Sequence, residues 1–317
     1  MACFDRTELD RITVRGVRAA ASHGVHPQEK HETHPFVADV TALTDTRLAA
    51  ATDALSATVS YSDVARDARA VLAERPRNLI ETLAEEIATR VLRRGALGVE
   101  VSVHKPEAPL GLPFDDVVVH IKRWSPLLEA GTIRRVVVGL GANLGDAPGA
   151  LAWATRQIAA LDVAVTGVSH LYRSAPVLAP GQAPQPDYAN AVLTLETALA
   201  PLDLLAELGA IEVRGGRVRR EHWGARLLDL DIEDVEGVTS DFRRLVLPHP
   251  RASERLFVLE PWAELEPGAV VGGVPIAERI AALRADGEQR IERVGVLDVA
   301  DTVRTATGAP TVNGGAR

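Results

Sequence analysis

The stretch RLLDLDIEDV, residues 226–235, sets acidic and apolar residues in alternation. Side chains alternate across a β-strand, so Asp229 and Asp231 share one face at roughly 6.5–7 Å, while Leu228, Leu230 and Ile232 fill the other. The pattern predicts a strand with one buried face. Two carboxylates at that spacing repel by about 2.4 kcal/mol when the effective dielectric is near 20. Two arrangements accommodate them: the acids stand in water on a half-exposed strand, or a hard cation such as Mg²⁺ sits between them and removes the repulsion.

The neighbouring segments continue the alternation of strand and helix. RRVVVGL (134–140) reads as a buried strand, and GANLGDAPGALAWATRQIAAL (141–161) as a turn and helix with Asp146 as N-cap and Pro148 in the first turn. VAVTGVSHLYRS (163–174) and YANAVLTLET (188–197) read as strands, and PLDLLAELGAIEV (201–213) as a helix. With RLLDLDIEDV the order is βαββαβ, the ferredoxin-like arrangement. The run GLGANLG is G-x-G-x-x-x-G, not a dinucleotide fingerprint, and it lacks the lysine of a P-loop. It predicts a tight strand-to-helix turn, whose N–H groups can also face an anion.

The first half reads as ββααββ. RITVRGVRAA (11–20), PFVADVTALTDT (35–46), LGVEVSVHK (97–105) and DDVVVHIKR (115–123) are strand-like. YSDVARDARAVLAE (61–74) and NLIETLAEEIATRVLRR (78–94) are amphipathic, the second through Ile80, Leu83, Ala84, Ile87 and Val91. WSPLLEAGT (124–132) breaks the pattern with Pro126 and Gly131. The expected architecture is α+β: one domain over 1–123, a linker over 124–132 and a second domain over 133–300. The tail at 301–317 has the polar, Gly-rich composition of a disordered segment.

With 317 residues, 46% hydrophobic and 25% charged, the chain has the profile of a soluble globular protein. A formal charge of −8 speaks against nucleic acid as a partner. No apolar run is long enough to span a membrane, and the acidic start does not read as a signal peptide. One cysteine, Cys3, permits no internal disulfide, so the cytoplasm is the expected compartment.

Chemistry-bearing residues cluster in both halves. Arg214, Arg217, Arg219, Arg220 and Arg226 crowd a Gly-containing loop just before the two aspartates. Carboxylates at metal spacing beside guanidinium groups meet both needs of phosphoryl transfer. A solvated basic loop is the alternative. In the first half His23, His26 and Glu29 follow a strand, at a spacing that matches no zinc pattern. Asn78-Leu-Ile-Glu81 reads as a capping box with Asn78 as N-cap. Lys105 is one of only three lysines; unlike arginine, an amine can lose its proton near neutral pH.

VGLGANLGD, YRSAPV, QPDYANAVLTLET, GRVRREHWGARLLDLDI and LPHPRASERLF occur in the order of the motifs of 6-hydroxymethyl-7,8-dihydropterin pyrophosphokinase, which residues 134–283 resemble. The resemblance implies transfer of the pyrophosphoryl group of ATP to the pterin hydroxymethyl group, with release of AMP and two Mg²⁺ ions. It implies Asp229 and Asp231 as metal ligands, and Arg217 and Arg226 as catalytic phosphate ligands. Asn190, Trp223, Phe257 and Ser174 fall on the pterin side, and Glu212, Arg219, His249 and Arg255 on the ATP side. Gly209, His222 and Ala175 depart from the usual pattern.

GVRAAASHGVHPQE, TVSYSDV, NLIETLAEEIA and VSVHKPEAPL resemble 7,8-dihydroneopterin aldolase across residues 9–123. That family implies the tunnelling fold, a ring oligomer (often an octamer) with sites between subunits, and no cofactor. By the resemblance Glu81, beside Ile80, anchors the guanidine-like edge of the pterin. Lys105 is the general base, Tyr61 relays protons to the enol intermediate and Glu29 holds the side-chain hydroxyl. The product of the first reaction is the substrate of the second, so the chain is expected to run consecutive steps of folate synthesis. The alternative is that the first half is a non-catalytic ring-forming module, or mainly an epimerase or oxygenase.

Overall fold

A computed structural model describes residues 8–176, 184–216 and 227–299. The chain divides into two compact units: Met1–Glu129 with Ala200–Asp203 and Thr239–Val246, and Ala130–Leu199 with Leu204–Val238 and Leu247–Arg317. The expected disordered tail lies outside the described residues. No described helix is long and apolar enough to cross a membrane.

In the first unit an antiparallel sheet runs in the order β1 (Asp10–Ala21), β2 (His34–Thr44), β3 (Gly98–His104), β4 (Val118–Trp124). A short α1 (Arg47–Thr52) precedes the two long helices, α2 (Tyr61–Ala73) and α3 (Ile80–Arg93). Strand β3 shows why the sheet has a dry and a wet side: Val99, Val101 and Val103 are fully buried, while Glu100, Ser102 and His104 face away. Val64, Ala68, Val71 and Leu72 of α2 join Leu83, Ala84, Ile87, Ala88 and Val91 of α3 over the dry side. The ββααββ order and its α+β class are as expected.

The start of α3 is different from its sequence reading. Its N-cap is Leu79, without a side-chain cap, and Asn78 Oδ1 instead accepts a hydrogen bond from Lys30 Nζ at 2.6 Å. The capping box is therefore absent, because the tertiary contact takes the amide oxygen that a cap would use. Glu81 is left free of that duty.

In the second unit β5 (Arg134–Ala142), α4 (Ala147–Ala159), β6 (Ala164–Val168), β7 (His170–Ser174), β8 (Tyr188–Thr197), α5 (Pro201–Arg214) and β9 (Asp229–Val235) follow the expected βαββαβ course. The stretch 163–174 is two strands laid along β8, divided at Ser169, whose hydroxyl takes the N–H of Val192 at 2.9 Å. Beyond β9 the chain adds α6 (Leu256–Leu265), a ribbon of β10 (Val270–Val271) and β11 (Val274–Pro275), α7 (Ile276–Asp286) and β12 (Ile291–Val296). β12 closes the sheet, in the order β12-β7-β8-β5-β9.

The glycine run also needs correction. Gly139 and Gly141 lie within β5, and only Gly145, at φ +64°, belongs to the turn. The start of α4 is not open to an anion, since Asp146 Oδ1 accepts from Gly149 N at 3.0 Å.

Ile87 is fully buried between α3 and the sheet. Replacing it with alanine is expected to cost about 2–5 kcal/mol, read as a lowered urea midpoint at unchanged slope.

Candidate functional sites

The first site starts where β1 ends. Gly24, at φ +154°, turns the chain so that Glu29 folds back beneath it, and a β-carbon at Gly24 would overlap the Glu29 carboxylate. Glu29 and Lys105, 4% and 8% exposed, form a buried ion pair. Lys105 Nζ also donates to the carbonyl of His23 at 3.3 Å, and His26 N donates to Glu29 Oε2 at 2.9 Å. Burial alone would raise the Glu29 carboxyl; the Lys105 ammonium and the His26 N–H more than offset it and hold it below its ordinary value.

His23 is fully buried and supports this corner. Its Nε2 donates to the carbonyl of Leu72 at 2.8 Å and its Nδ1 accepts from Arg77 N at 3.0 Å, an arrangement that only the neutral ring permits. Burial lowers its pKa in the same sense. Tyr61, the first residue of α2, is 66% exposed. Glu81 is exposed on the first turn of α3 and Ile80 is half-buried against the core.

The second site is a cleft of about 610 Å³ in the second unit. Antiparallel register sets Asp231 of β9 opposite Gly139 of β5, and Asp229 opposite Gly141; Asn190 of β8 faces Gly141 from the other side. Asp229 and Asp231 line the cleft, and Leu228, Leu230 and Ile232 are buried on the opposite face. Two residues on from Asp231, Glu233 follows the aspartates into the cleft on the same strand face, beside an irregularity in the β5–β9 pairing. Gly139 leaves room for it: a β-carbon there would stand 2.7 Å from Glu233 Oε1.

Burial, then the neighbouring Asp231, pushes the Glu233 carboxyl up to about 8. Its Oε2 has no hydrogen-bond partner among the described residues, with His249 Nδ1 3.5 Å away. Burial and the neighbouring Arg255 and Arg251 lower His249 to about 4, so its ring is neutral. Arg255 is half-buried and its guanidinium lies 5.4 Å from the Phe257 ring centre. Asn190 Nδ2 donates to Ser174 Oγ at 2.9 Å, which leaves the amide oxygen oriented.

The fold thus brings Asp229, Asp231, Asn190, Ser174, Phe257, His249 and Arg255 around one cleft. Glu212 stands apart from its lining: it is buried on α5, and its Oε1 accepts the N–H of Leu230 at 2.9 Å, between the two aspartates. Arg217, Arg219, Trp223 and Arg226 lie outside the described residues. The sequence reading missed Glu233 and Gln289. Glu233 continues the two-residue period as a third acid, which was the available signal; Gln289 carried none.

The donor set fits a hard divalent cation. Mg²⁺ binds through one or two carboxylates and completes its shell with water and substrate phosphates, and Asp229 and Asp231 on one strand face offer that. When bound, such an ion supplies charge neutralisation on phosphate oxygens.

Comparison with known proteins separates the halves in the same way. A family model for dihydroneopterin aldolase (FolB) matches residues 12–122, and one for 7,8-dihydro-6-hydroxymethylpterin-pyrophosphokinase (HPPK) matches residues 137–267. The chain is 48% identical over 116 residues to the dihydroneopterin aldolase of Streptomyces coelicolor, spanning 36% of this chain and 98% of that protein. It is 39% identical over 160 residues to the 2-amino-4-hydroxy-6-hydroxymethyldihydropteridine pyrophosphokinase of Methylorubrum extorquens, spanning 50% of this chain and 99% of that protein. A bifunctional protein FolKE of Lactococcus lactis is 36% identical over 129 residues, or 40% of this chain and 36% of that protein. The chain belongs to the dihydroneopterin aldolase family through its first half and to the HPPK family through its second, and is a bifunctional enzyme of folate biosynthesis.

Proposed function

We propose that the aldolase reaction is carried by Lys105 and Glu29 and the pyrophosphokinase reaction by the acidic cleft around Asp229 and Asp231. For the first, the observation in support is the buried ion pair beneath Gly24. Lys105 acts in its unprotonated form, taking up the proton of the pterin side-chain hydroxyl directly or through water. The adjacent carbon–carbon bond breaks, its electron pair moves onto the conjugated ring, and glycolaldehyde leaves. Tyr61 returns a proton to the enol carbon, giving 6-hydroxymethyl-7,8-dihydropterin. Because the ring itself accepts the electrons, neither an imine nor a metal is required. Glu81 accepts two parallel hydrogen bonds from the amino-pyrimidine edge, with Ile80 beside it.

The subunits act as a homo-oligomer built through the first domain, of which an octamer is the expected form. In support, Tyr61 is largely exposed in a single chain, as are the apolar Val25 and Leu55 at 61% and 68%. We assign the domains to 1–123 and 133–300 with a linker at 124–132, and the reactions to the cytoplasm.

For the second reaction, the observation in support is that strand register sets two charged carboxylates, an oriented amide and the Arg255–Phe257 pair around one cleft. Asn190 and Ser174 bind the pterin, Phe257 and Trp223 stack on it, and Asp229 and Asp231 hold Mg²⁺. Arg255, His249 and Arg219 face ATP, with Arg217 and Arg226 taking up charge on the transferred group. Glu212 serves from behind, by holding the backbone between the two metal ligands.

Lys105→Arg keeps charge and approximate reach but cannot release a proton at working pH. Retro-aldol turnover should fall at least about 10²-fold, while the pyrophosphokinase assay on hydroxymethyl-dihydropterin stays unchanged. Normal cleavage of dihydroneopterin by the variant would remove Lys105 from the mechanism.

Gly24→Ala should displace the Glu29 carboxylate and weaken aldolase activity on the order of tenfold or more, again without touching the kinase. Aldolase kinetics equal to wild type would show that Glu29 need not lie under residue 24.

Asp231→Asn keeps shape and removes one charge. Its pyrophosphoryl transfer should drop by about 10² or more and need a higher Mg²⁺ concentration for half-maximal rate, with aldolase activity retained. A wild-type Mg²⁺ titration curve would overturn the ligand assignment.

A further inference from the structure

We propose that Gln289 is a positioning residue of the pyrophosphokinase, clamping the backbone on both sides of Arg255 so that its guanidinium and Phe257 are held in the cleft. The proposal rests on the reading of Arg255 as a residue facing ATP. Gln289 Oε1 accepts the N–H of Leu256 at 2.8 Å, and its Nε2 donates to the carbonyl of Glu254 at 2.7 Å. One carboxamide therefore grips the two peptide units that flank Arg255. Among side chains only an amide of this length offers a donor and an acceptor side by side in one plane.

The clamp answers a need of the local structure. Leu256 opens α6, so its N–H belongs to the first turn, where no intrahelical carbonyl can accept it. The N-cap position is Arg255, which makes no side-chain cap. A serine or aspartate there would cap the helix locally but would bring no cation to the cleft. Gln289 supplies the missing acceptor from 33 residues away, leaving position 255 free to carry a guanidinium.

The reach of Gln289 is set by β12. Two residues further on, Ile291 pairs with Ser174 of β7, whose hydroxyl receives Asn190. Within β12, Arg293 bonds His170 Nε2 at 2.6 Å, and His170 and Tyr172 both bond Glu264 of α6. The strand is thereby tied to α6 a second time, and Gln289 lines the same cleft as Asn190 and the aspartates.

The test is a double-mutant cycle in the full-length enzyme with Gln289→Leu, Arg255→Ala and the pair. It reads kcat and KM for ATP and for hydroxymethyl-dihydropterin, with the urea midpoint and the aldolase rate of each preparation as folding controls. Gln289→Leu is expected to lower kcat/KM for ATP on the order of tenfold, and Arg255→Ala by more. In the double variant the cost of losing Gln289 should vanish to within about twofold, because the clamp acts only through Arg255. Wild-type kinetics for Gln289→Leu, or a double variant that shows the product of both losses, overturns the proposal. Unchanged kinetics for Arg255→Ala instead overturns the underlying reading, and the clamp with it. Should Gln289→Leu fail to fold, Gln289→Glu enters the same cycle: it keeps the acceptor for Leu256, loses the donor to Glu254, and must show the same non-additivity.

Discussion

A strand cannot turn consecutive side chains to one face, so a strand that buries Leu228, Leu230 and Ile232 must send Asp229 and Asp231 the other way. The acidic cleft follows from this alternation. Three features make the result tolerable. The facing positions of β5 are glycines, so no side chain competes for the space. Glu233 follows on the same strand face, its carboxyl raised by burial. Glu212 ties off the N–H of Leu230, which lies on the outer strand of the sheet, and so fixes the backbone between the aspartates.

The aldolase site solves a different problem with the opposite device. In the proposed aldolase site Glu29 and Lys105 are buried together as an ion pair, and the lysine offsets the cost of taking the Glu29 carboxylate out of water. The corner has little freedom. Gly24 allows the close approach, His26 fixes the second carboxylate oxygen, and neutral His23 joins Leu72 at the end of α2 to Arg77 before α3. The carbonyl of His23 then receives Lys105. Of the histidines after β1, His23 is thus a structural group in the core, and His26 contributes its backbone N–H.

Element order was legible in the sequence because it rests on apolar periodicity, which burial enforces. The face shared by Asp229 and Asp231 was legible for the same reason. Features decided by tertiary contact were not. Asn78 looks like a helix cap until Lys30 reaches it, and the glycines of GLGANLG look like a turn until β9 and Glu233 occupy the space beside them. The chain after β9 was passed over because α7 is weakly amphipathic and β12 shows no clean alternation; Val294 and Val296 are exposed on the same strand. Their role is set by docking against β7 and α6, which short-range patterning does not encode.

The two sites handle the same pterin ring in succession, yet they use different groups to recognise it and different physics to transform it. On the proposed reading Glu81 offers a carboxylate, suited to two parallel N–H donors, whereas Asn190 offers an amide oriented by Ser174. On that reading the ring accepts electrons at the first site, whereas at the second the ring is a handle and the reaction occurs on phosphate, so a neutral anchor suffices there. That division explains why the sites differ in tolerance. A proton-transfer site depends on one buried pair, while a phosphoryl-transfer site depends on the placement of many charges, and hence on distant residues that hold their backbone.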